Sequence, residues 1–406
     1  MLSGYSFTVP LNPRRRSQAS VDNDNRILDA ALNEVCDVGI DRIVLRSVAR
    51  RVNLTSGAMY GRYESAAEIA VGLWTNRLAD PTLSLLSSGI EAMMSGDSES
   101  MNVIVRKLVK PSPAVAAGLE CLAVAHRHDV LNEELDDWMP KWFAANSLDE
   151  STPHDERVRR LTSLSVLLGM GLFSFVNQRI DEWSLIVPIY SQALRTPVDV
   201  HEPRQAIEVT PFVSATTGDP LRDALINSTA EVMGRAGFEN TTVSRIARRA
   251  HLTSGAVYTQ YDVKEELLID AMKTLLINAA ADTGAITTSA IDAGDLPDAT
   301  AQIYQLAVAP ERVNWRRFRL ETYVAARTRP AVKRALRGIQ LASDARYEEM
   351  FAARGTFPAG VIPLVSAAGQ AVPIGFTVID SFTTKLNTLD FRLITRPLIN
   401  TISTKR

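Results

Sequence analysis

The sequence predicts an all-α protein built from two similar helical units. Three observations lead there. Apolar residues recur at i/i+4 through most of the 406 residues, and strand-like alternation is scarce. The stretch 237–268, GFENTTVSRIARRAHLTSGAVYTQYDVKEELL, reads as a helix, a turn, a second short helix and the start of a third. A related stretch begins 198 residues earlier at Gly39. Between 39–63 and 237–261 no gap is needed, and 11 of 25 positions are identical. Such self-similarity in register marks an internal duplication.

Residues 1–20 carry Pro10, Pro13 and Arg14-Arg15-Arg16, and read as a flexible basic arm, able to lie in a minor groove or to remain a disordered tail. From Arg26 a helix is predicted on Ile27, Leu28, Ala31, Leu32 and Val35, stopped by Gly39; Ile226, Ala230 and Met233 repeat it before Gly237. A short helix follows, with Leu45, Val48 and Ala49 inward in the first copy and Val243, Ile246 and Ala247 in the second. Thr241 or Thr242 is suited to cap it, whereas the first copy has Ile43 and Val44 and lacks a cap. After the turns 52–54 and 250–252, Thr55 and Thr253 are placed to cap a third helix.

Gly57 and Gly255 fall in the first turn of that third helix. A glycine there costs about 1 kcal/mol relative to alanine. Close approach of a nucleic acid to the bare backbone would offset that cost. Tyr60 and Tyr258 lie one turn on, where a phenol reaches a phosphate, and Tyr63 and Tyr261 are expected to pack between helices. Longer helices are predicted from Glu68 and Lys264.

The duplication continues. Leu119-Glu120, Ala125 and Leu135 recur as Leu320-Glu321, Ala326 and Leu336 at an offset of 201, and the segment 181–188 resembles 389–397 at an offset near 209. The growing offset places an insertion in the second copy, expected in the uncharged stretch 356–373. Pro197, Pro203, Pro211 and Pro220 mark an extended linker. The expected organisation is an arm (1–20), a first helix-turn-helix domain (21–68), a first larger helical domain (69–195), a linker (196–219), a second helix-turn-helix domain (220–266) and a second larger helical domain (267–406).

The net charge of −2 does not announce a nucleic-acid binder, but local charge does: 40–63 carries a balance of +4 and 238–264 one of +2. Two cysteines, Cys36 and Cys121, cannot form a disulfide framework, so a reducing cytoplasm is expected. The N-terminus has no secretory pattern, and no membrane span is expected; the longest apolar candidate, around 161–176, is interrupted by Ser, Thr and Gly. The five histidines give no metal spacing beyond His126-x-His128, and no phosphate loop or G-x-S-x-G elbow occurs. No catalytic activity, cofactor or metal is expected.

The pattern Gly-aromatic-x-x-Thr-Thr-Val-x-x-Ile-Ala, then Leu-Thr-Ser-Gly-Ala-Val-Tyr-x-x-Tyr-x-x-Lys-Glu-Glu-Leu, resembles the DNA-binding domain of the TetR family of bacterial transcriptional regulators. The first copy resembles it less: it lacks the Thr-Thr pair, and Ala66-Ala67 replace Lys264-Glu265. The resemblance implies three N-terminal helices that bind DNA and a larger helical domain that holds a small effector. It also implies a dimer whose last two helices form a four-helix interface. Effector binding would change the spacing of the heads and release DNA, making a repressor the default. Carried over, the DNA contacts are Thr55, Ser56, Gly57, Tyr60, Gly61 and Arg62 in the first copy, and Thr242, Thr253, Ser254, Gly255, Tyr258, Thr259, Gln260 and Lys264 in the second. Base reading falls to Ser56/Ser254, Ala58/Ala256, Gly61/Thr259 and Arg62/Gln260, with Arg62 suited to guanine and Gln260 to adenine.

A tandem chain of this kind can pair its own two effector domains as an intramolecular pseudo-dimer, through segments near 161–188 and 365–397, although two chains can also associate as a homodimer. Unlike recognition helices then predict an asymmetric operator. The competing reading is a helical ligand- or partner-binding protein whose first head no longer binds DNA. Candidate walls for an apolar effector are Trp138, Trp142, Phe143, Phe173 and Phe175 in the first copy, and Trp315, Phe318, Tyr323 and Phe376 in the second, each of which can equally be packed core.

Overall fold

The computed structural model describes residues 18–200, 202 and 213–403, which are helical throughout their regular structure with no strand among them. The N-terminal arm lies outside the described residues except for 18–20, the start of the first helix. The first half runs α1 (Gln18–Val38), α2 (Leu45–Arg51), α3 (Ser56–Tyr60), α4 (Ala66–Leu73), a π turn (Trp74–Leu78), α5 (Ala79–Ser95), α6 (Ser98–Val109), α7 (Pro113–Val124), α8 (Asp129–Ala145), α9 (His154–Phe173) and α10 (Ile180–Arg195). The second half runs α11 (Pro220–Asn240), α12 (Val243–Arg249), α13 (Ser254–Tyr258), α14 (Lys264–Ala293), α15 (Leu296–Val308), α16 (Val313–Thr328), α17 (Pro330–Ala352), α18 (Ile362–Ile379) and α19 (Arg392–Ile402).

Several local backbone features recur at corresponding positions of the two halves. Gly39 and Gly237 adopt φ of 87° and 76° where the first helix of each head breaks, a conformation that a Cβ disfavours. Asn53 and His251 take the left-handed turn between the next two helices, with φ of 55° and 57°; Asn and His tolerate this region better than most residues. The 30 residues of α14 correspond to α4, the π turn and α5 taken together, and both runs stop at a left-handed glycine, Gly96 or Gly294.

Two expectations about organisation change. The insertion in the second half extends α17, which has 23 residues against 17 in α8, rather than lying in 356–373. A helix lengthened at its end adds residues without disturbing the packing on either side. The described end of the linker is also packed rather than free. Val213 and Ala215 are buried, the Ala215 amide donates to Asn227 Oδ1 (2.9 Å), and Asn278 donates to the Ser214 carbonyl (3.0 Å).

One continuous apolar core joins the two halves, and α9 lies along α18 while α10 lies along α19. The α9–α18 contact is made by glycine. A Cβ on Gly169 would sit 2.7 Å from the Ala371 carbonyl carbon, and one on Gly375 would sit 2.7 Å from the Ser165 carbonyl carbon. The two approaches are reciprocal, because Gly169 and Gly375, like Ser165 and Ala371, are separated by 206 residues. Ser165 Oγ also donates to the Val372 carbonyl at 2.6 Å. Where no apolar run of membrane-spanning length was expected, the helical run Ala359–Ile379, of mean hydropathy 1.6, is long and apolar enough to cross a membrane, but it is mostly buried and packs on α9, as the central helix of a bundle does.

Candidate nucleic-acid interface

Each head presents its α2–α3 or α12–α13 pair at the end of the long first helix. The second head closes around its own small core of Leu225, Ile246, Ala247, Val257 and Leu267. Thr242 caps α12 by accepting from Arg245 N (3.3 Å), while Thr241 is buried and donates to the Gly237 carbonyl. Val44, at the equivalent place in the first head, provides no side-chain cap. Thr253 and Thr55 each accept from the amide three residues on, Ala256 N and Ala58 N, at 3.2 Å. These bonds fix the start of α13 and α3 and satisfy an otherwise orphan N–H.

Most of the residues carried over from the family pattern share one exposed surface per head. Thr253, Ser254, Gly255, Tyr258, Thr259 and Gln260 are exposed, as are Thr242 and, in the first head, Thr55, Ser56, Gly57, Tyr60 and Gly61. Tyr60 and Tyr258 keep 55% and 57% of their surface, unusual for aromatic side chains that could have packed inward. A Cβ on Gly57 would meet nothing within 4 Å, so its lack of side chain answers no packing demand inside the protein. Arg46, Arg50 and Arg248 are exposed and form no ion pair among the described residues, leaving positive charge beside the helices. Tyr63 and Tyr261 pack inward, Tyr63 against Gly72 and Tyr261 by donating to Asp270 (2.6 Å).

Two residues are placed differently from the rest. Lys264 turns back into the protein: its ammonium donates to the Phe238 and Glu239 carbonyls (3.3 and 3.2 Å) and stands 5.5 Å from the Phe238 ring. Burial lowers its pKa. It therefore closes the end of α11 and is half-buried. Arg62 is partly buried and pairs with Asp24.

Beneath the heads lies a network that the sequence did not disclose. Arg127 donates to Glu321 of the second half (2.6 and 3.0 Å) and to Asp41 of the first head (2.7 and 2.8 Å), and it also borders Gly237 of the second head. Burial would raise the Asp41 carboxyl, but hydrogen bonds from His128 and Arg127 overcome this and hold it below its ordinary range. Arg329 grips Glu239 through two bonds of 2.7 and 2.6 Å, and Arg327 pairs with the buried Glu120 across the halves. The recurrence of Glu120 and Glu321 within apolar helices is the signal of it that the sequence carries.

The candidate effector walls divide. Trp315 and Tyr323 line a cavity of about 250 Å³ between α14, α15, α16, α17 and α18. Phe173, Phe318 and Phe376 do not line it; each is fully buried, Phe173 against Trp183, Phe318 against Trp315, and Phe376 against Tyr304 and Phe391. Phe143 and Phe175 are core as well. Trp138 and Trp142 line an open surface groove between α5 and α8, where Trp142 donates to Ser87 (2.9 Å).

Residues 225–271 match the family described as bacterial regulatory proteins, tetR family, and so form a TetR-type helix-turn-helix domain. That family is one of regulators, not of enzymes. Two curated proteins of Mycobacterium tuberculosis, from strains CDC 1551 and H37Rv, are both described as uncharacterized HTH-type transcriptional regulators. Each is 34% identical over 64 residues, which is 16% of this chain and 34% of theirs. The chain thus spans about a third of the length of the curated relatives it matches.

Proposed function

We propose that the chain is a ligand-responsive transcriptional repressor, acting in the cytoplasm, that sets two unlike helix-turn-helix heads on one asymmetric operator. The observation that carries the reading is the exposed surface from Thr253 to Gln260 on the domain with the TetR-type match. The relatives' description as HTH-type transcriptional regulators agrees with it. In each head the capping threonine and the tyrosine hold phosphates. Bases are read by Ser254, Ala256, Thr259 and Gln260 in the second head and by Ser56, Ala58, Gly61 and Arg62 in the first. Because Arg62 pairs with Asp24 and Lys264 binds backbone carbonyls, Arg62 must exchange partners to reach guanine, and Lys264 acts by firming the α11 end rather than as a free cation.

The tandem arrangement is supported by the reciprocal approach of Gly169 and Gly375, the contact expected where two equivalent helices meet about a local twofold axis. One chain then takes the place of a dimer, and no symmetry obliges its heads to be alike. Half-sites about 34–36 Å apart follow from major-groove docking one turn apart.

A second reading has its own support. The first head lacks the cap at Val44, has Ala66 in place of Lys264 and has Arg62 engaged, which favours a head that has lost DNA binding. Gel-shift titration of Tyr258→Ala and Tyr60→Ala against upstream DNA separates them. Loss of about tenfold for each variant supports two working heads. Loss for Tyr258→Ala alone supports the second reading, and loss for neither sinks the regulator.

A further inference from the structure

The second half holds a cavity where the corresponding place in the first half is the open groove between α5 and α8, and the difference lies in pairs of corresponding positions. In the first half a Cβ on Gly118 of α7 would lie 3.0 Å from Thr82 Cβ of α5, so the two helices are in contact. The corresponding positions at offsets of 201 and 198 are Arg319 and Ala280, and both line the cavity of about 250 Å³. A long side chain facing a short one keeps α16 off α14 where a glycine lets α7 close on α5. The α8 side differs as well. Trp138 and Trp142 correspond to Ile339 and Ser343, two further cavity walls.

The walls combine an apolar body with cationic heads. Leu276, Ile303, Leu306, Trp315, Leu336 and Ile339 supply the apolar surface. Arg312, Arg316, Arg319 and Arg346 also line it, against a single wall carboxylate, Asp282. Arg316 is 4% exposed and donates once, to Asp380 (2.9 Å), while its Nε and Nη1 have no hydrogen-bond partner. Arg319 donates to the Gln370 carbonyl (2.5 Å) and, like Arg346, has no carboxylate partner among the described residues. A buried guanidinium with unpaired donors destabilises the fold, and an ionised acceptor relieves that cost best.

We propose that this cavity takes a small amphipathic organic anion, a carboxylate on a compact apolar body, and that the chain binds one such ligand rather than two. The inference rests on the effector-responsive reading above and gives that effector its chemical class. The volume is at the small end for ligand sites, which usually run about 300–1,000 Å³, so a single ring or a short acyl chain fits. The carboxylate meets Arg316 and Arg319 at the α16 wall, and Arg346 stands on the exposed side.

Calorimetric titration of the full chain, without DNA, with octanoate, 4-phenylbutyrate, octanol and octylamine tests this. The expected result is saturation by the acids at one per chain, with octanol at least about tenfold weaker (~1.4 kcal/mol) and octylamine inactive. Arg319→Gln and the surface variant Arg346→Gln should each weaken acid binding about tenfold, and Trp142→Ala should leave it unchanged. Octanol equal to octanoate, two acids per chain, indifference to both arginine changes, or no saturable binding of either acid overturns the proposal. Because no DNA is present, failure here is separate from failure of the gel shift.

Discussion

Alanine at Gly375 tests the α9–α18 contact on which the paired halves depend. The added Cβ would lie 2.7 Å from both the Cα and the carbonyl carbon of Ser165. Comfortable carbon–carbon separation is about 3.5–4.0 Å, so roughly 1 Å of overlap must be relieved. The atoms met are backbone, which no rotamer change can move aside. Overpacking of this kind costs about 1–3 kcal/mol, occasionally more, while alanine for glycine in a helix returns about 0.8–1.0 kcal/mol. Because the backbone atoms met cannot yield, the clash takes the upper end of that range, about 3 kcal/mol, and the expected net loss is about 2 kcal/mol. With a urea slope near 3 kcal/mol/M that moves the unfolding midpoint down by about 0.7 M. Gly169→Ala should behave alike, since it meets the Ala371 carbonyl carbon at 2.7 Å. The double variant should lose less than the two singles together, because helices already parted by one methyl admit the second. Urea unfolding followed by circular dichroism reads this directly. An unchanged or raised midpoint for Gly375→Ala would refute the packing argument.

Other consequences can be measured on the same protein. Gly255→Ala has room, its Cβ meeting only Thr253 Oγ1 at 3.7 Å, so melting should show a gain of up to about 1 kcal/mol while gel shifts show weaker binding; a gain in both would mean that DNA does not approach that backbone. Arg127→Met leaves the buried Glu321 without its cation and Asp41 with His128 alone, and should cost about 3–5 kcal/mol, partly recovered in Arg127→Met/Glu321→Leu; a recovery of zero in denaturation would argue against a coupled pair. Burial, with Arg317 and Arg127 nearby, lowers the His126 pKa from 6.5 to about 3, so the unfolded chain binds that proton first. Stability should therefore be retained above pH 6.5 and fall by about 2–3 kcal/mol by pH 4.5, and His126→Gln should flatten the profile in that window.

What was legible in the sequence was whatever the backbone demands locally. Gly39 and Gly237 announced helix breaks because only a few residues accept their φ, and Thr55 and Thr253 announced caps because a hydroxyl must satisfy an orphan amide. Those signals sit within a few residues of their effects. The Lys264 contacts with the Phe238 and Glu239 carbonyls were not legible, because they are set by how α11 ends against α14 and not by local spacing. The Arg127–Glu321 pair joins positions far apart in the chain, and a charged residue in an apolar helix does not state its partner. Phe173, Phe318 and Phe376 pack in the core, and the sequence left this open because an aromatic on a buried face looks the same whether it fills a core or borders a cavity. The arginines of α16 that do border one carry no local mark of it, because a cavity wall is set by neighbouring helices far away in the chain.

The most direct test of the central claim is the stoichiometry and footprint of the full chain on its own upstream DNA, with mass measured on the complex. The account predicts one chain per operator, protecting two half-sites of different sequence one helical turn apart, with protection of one half-site lost in Tyr258→Ala and of the other in Tyr60→Ala. Two chains bound symmetrically to a palindrome, with both half-sites lost in Tyr258→Ala alone, would contradict it.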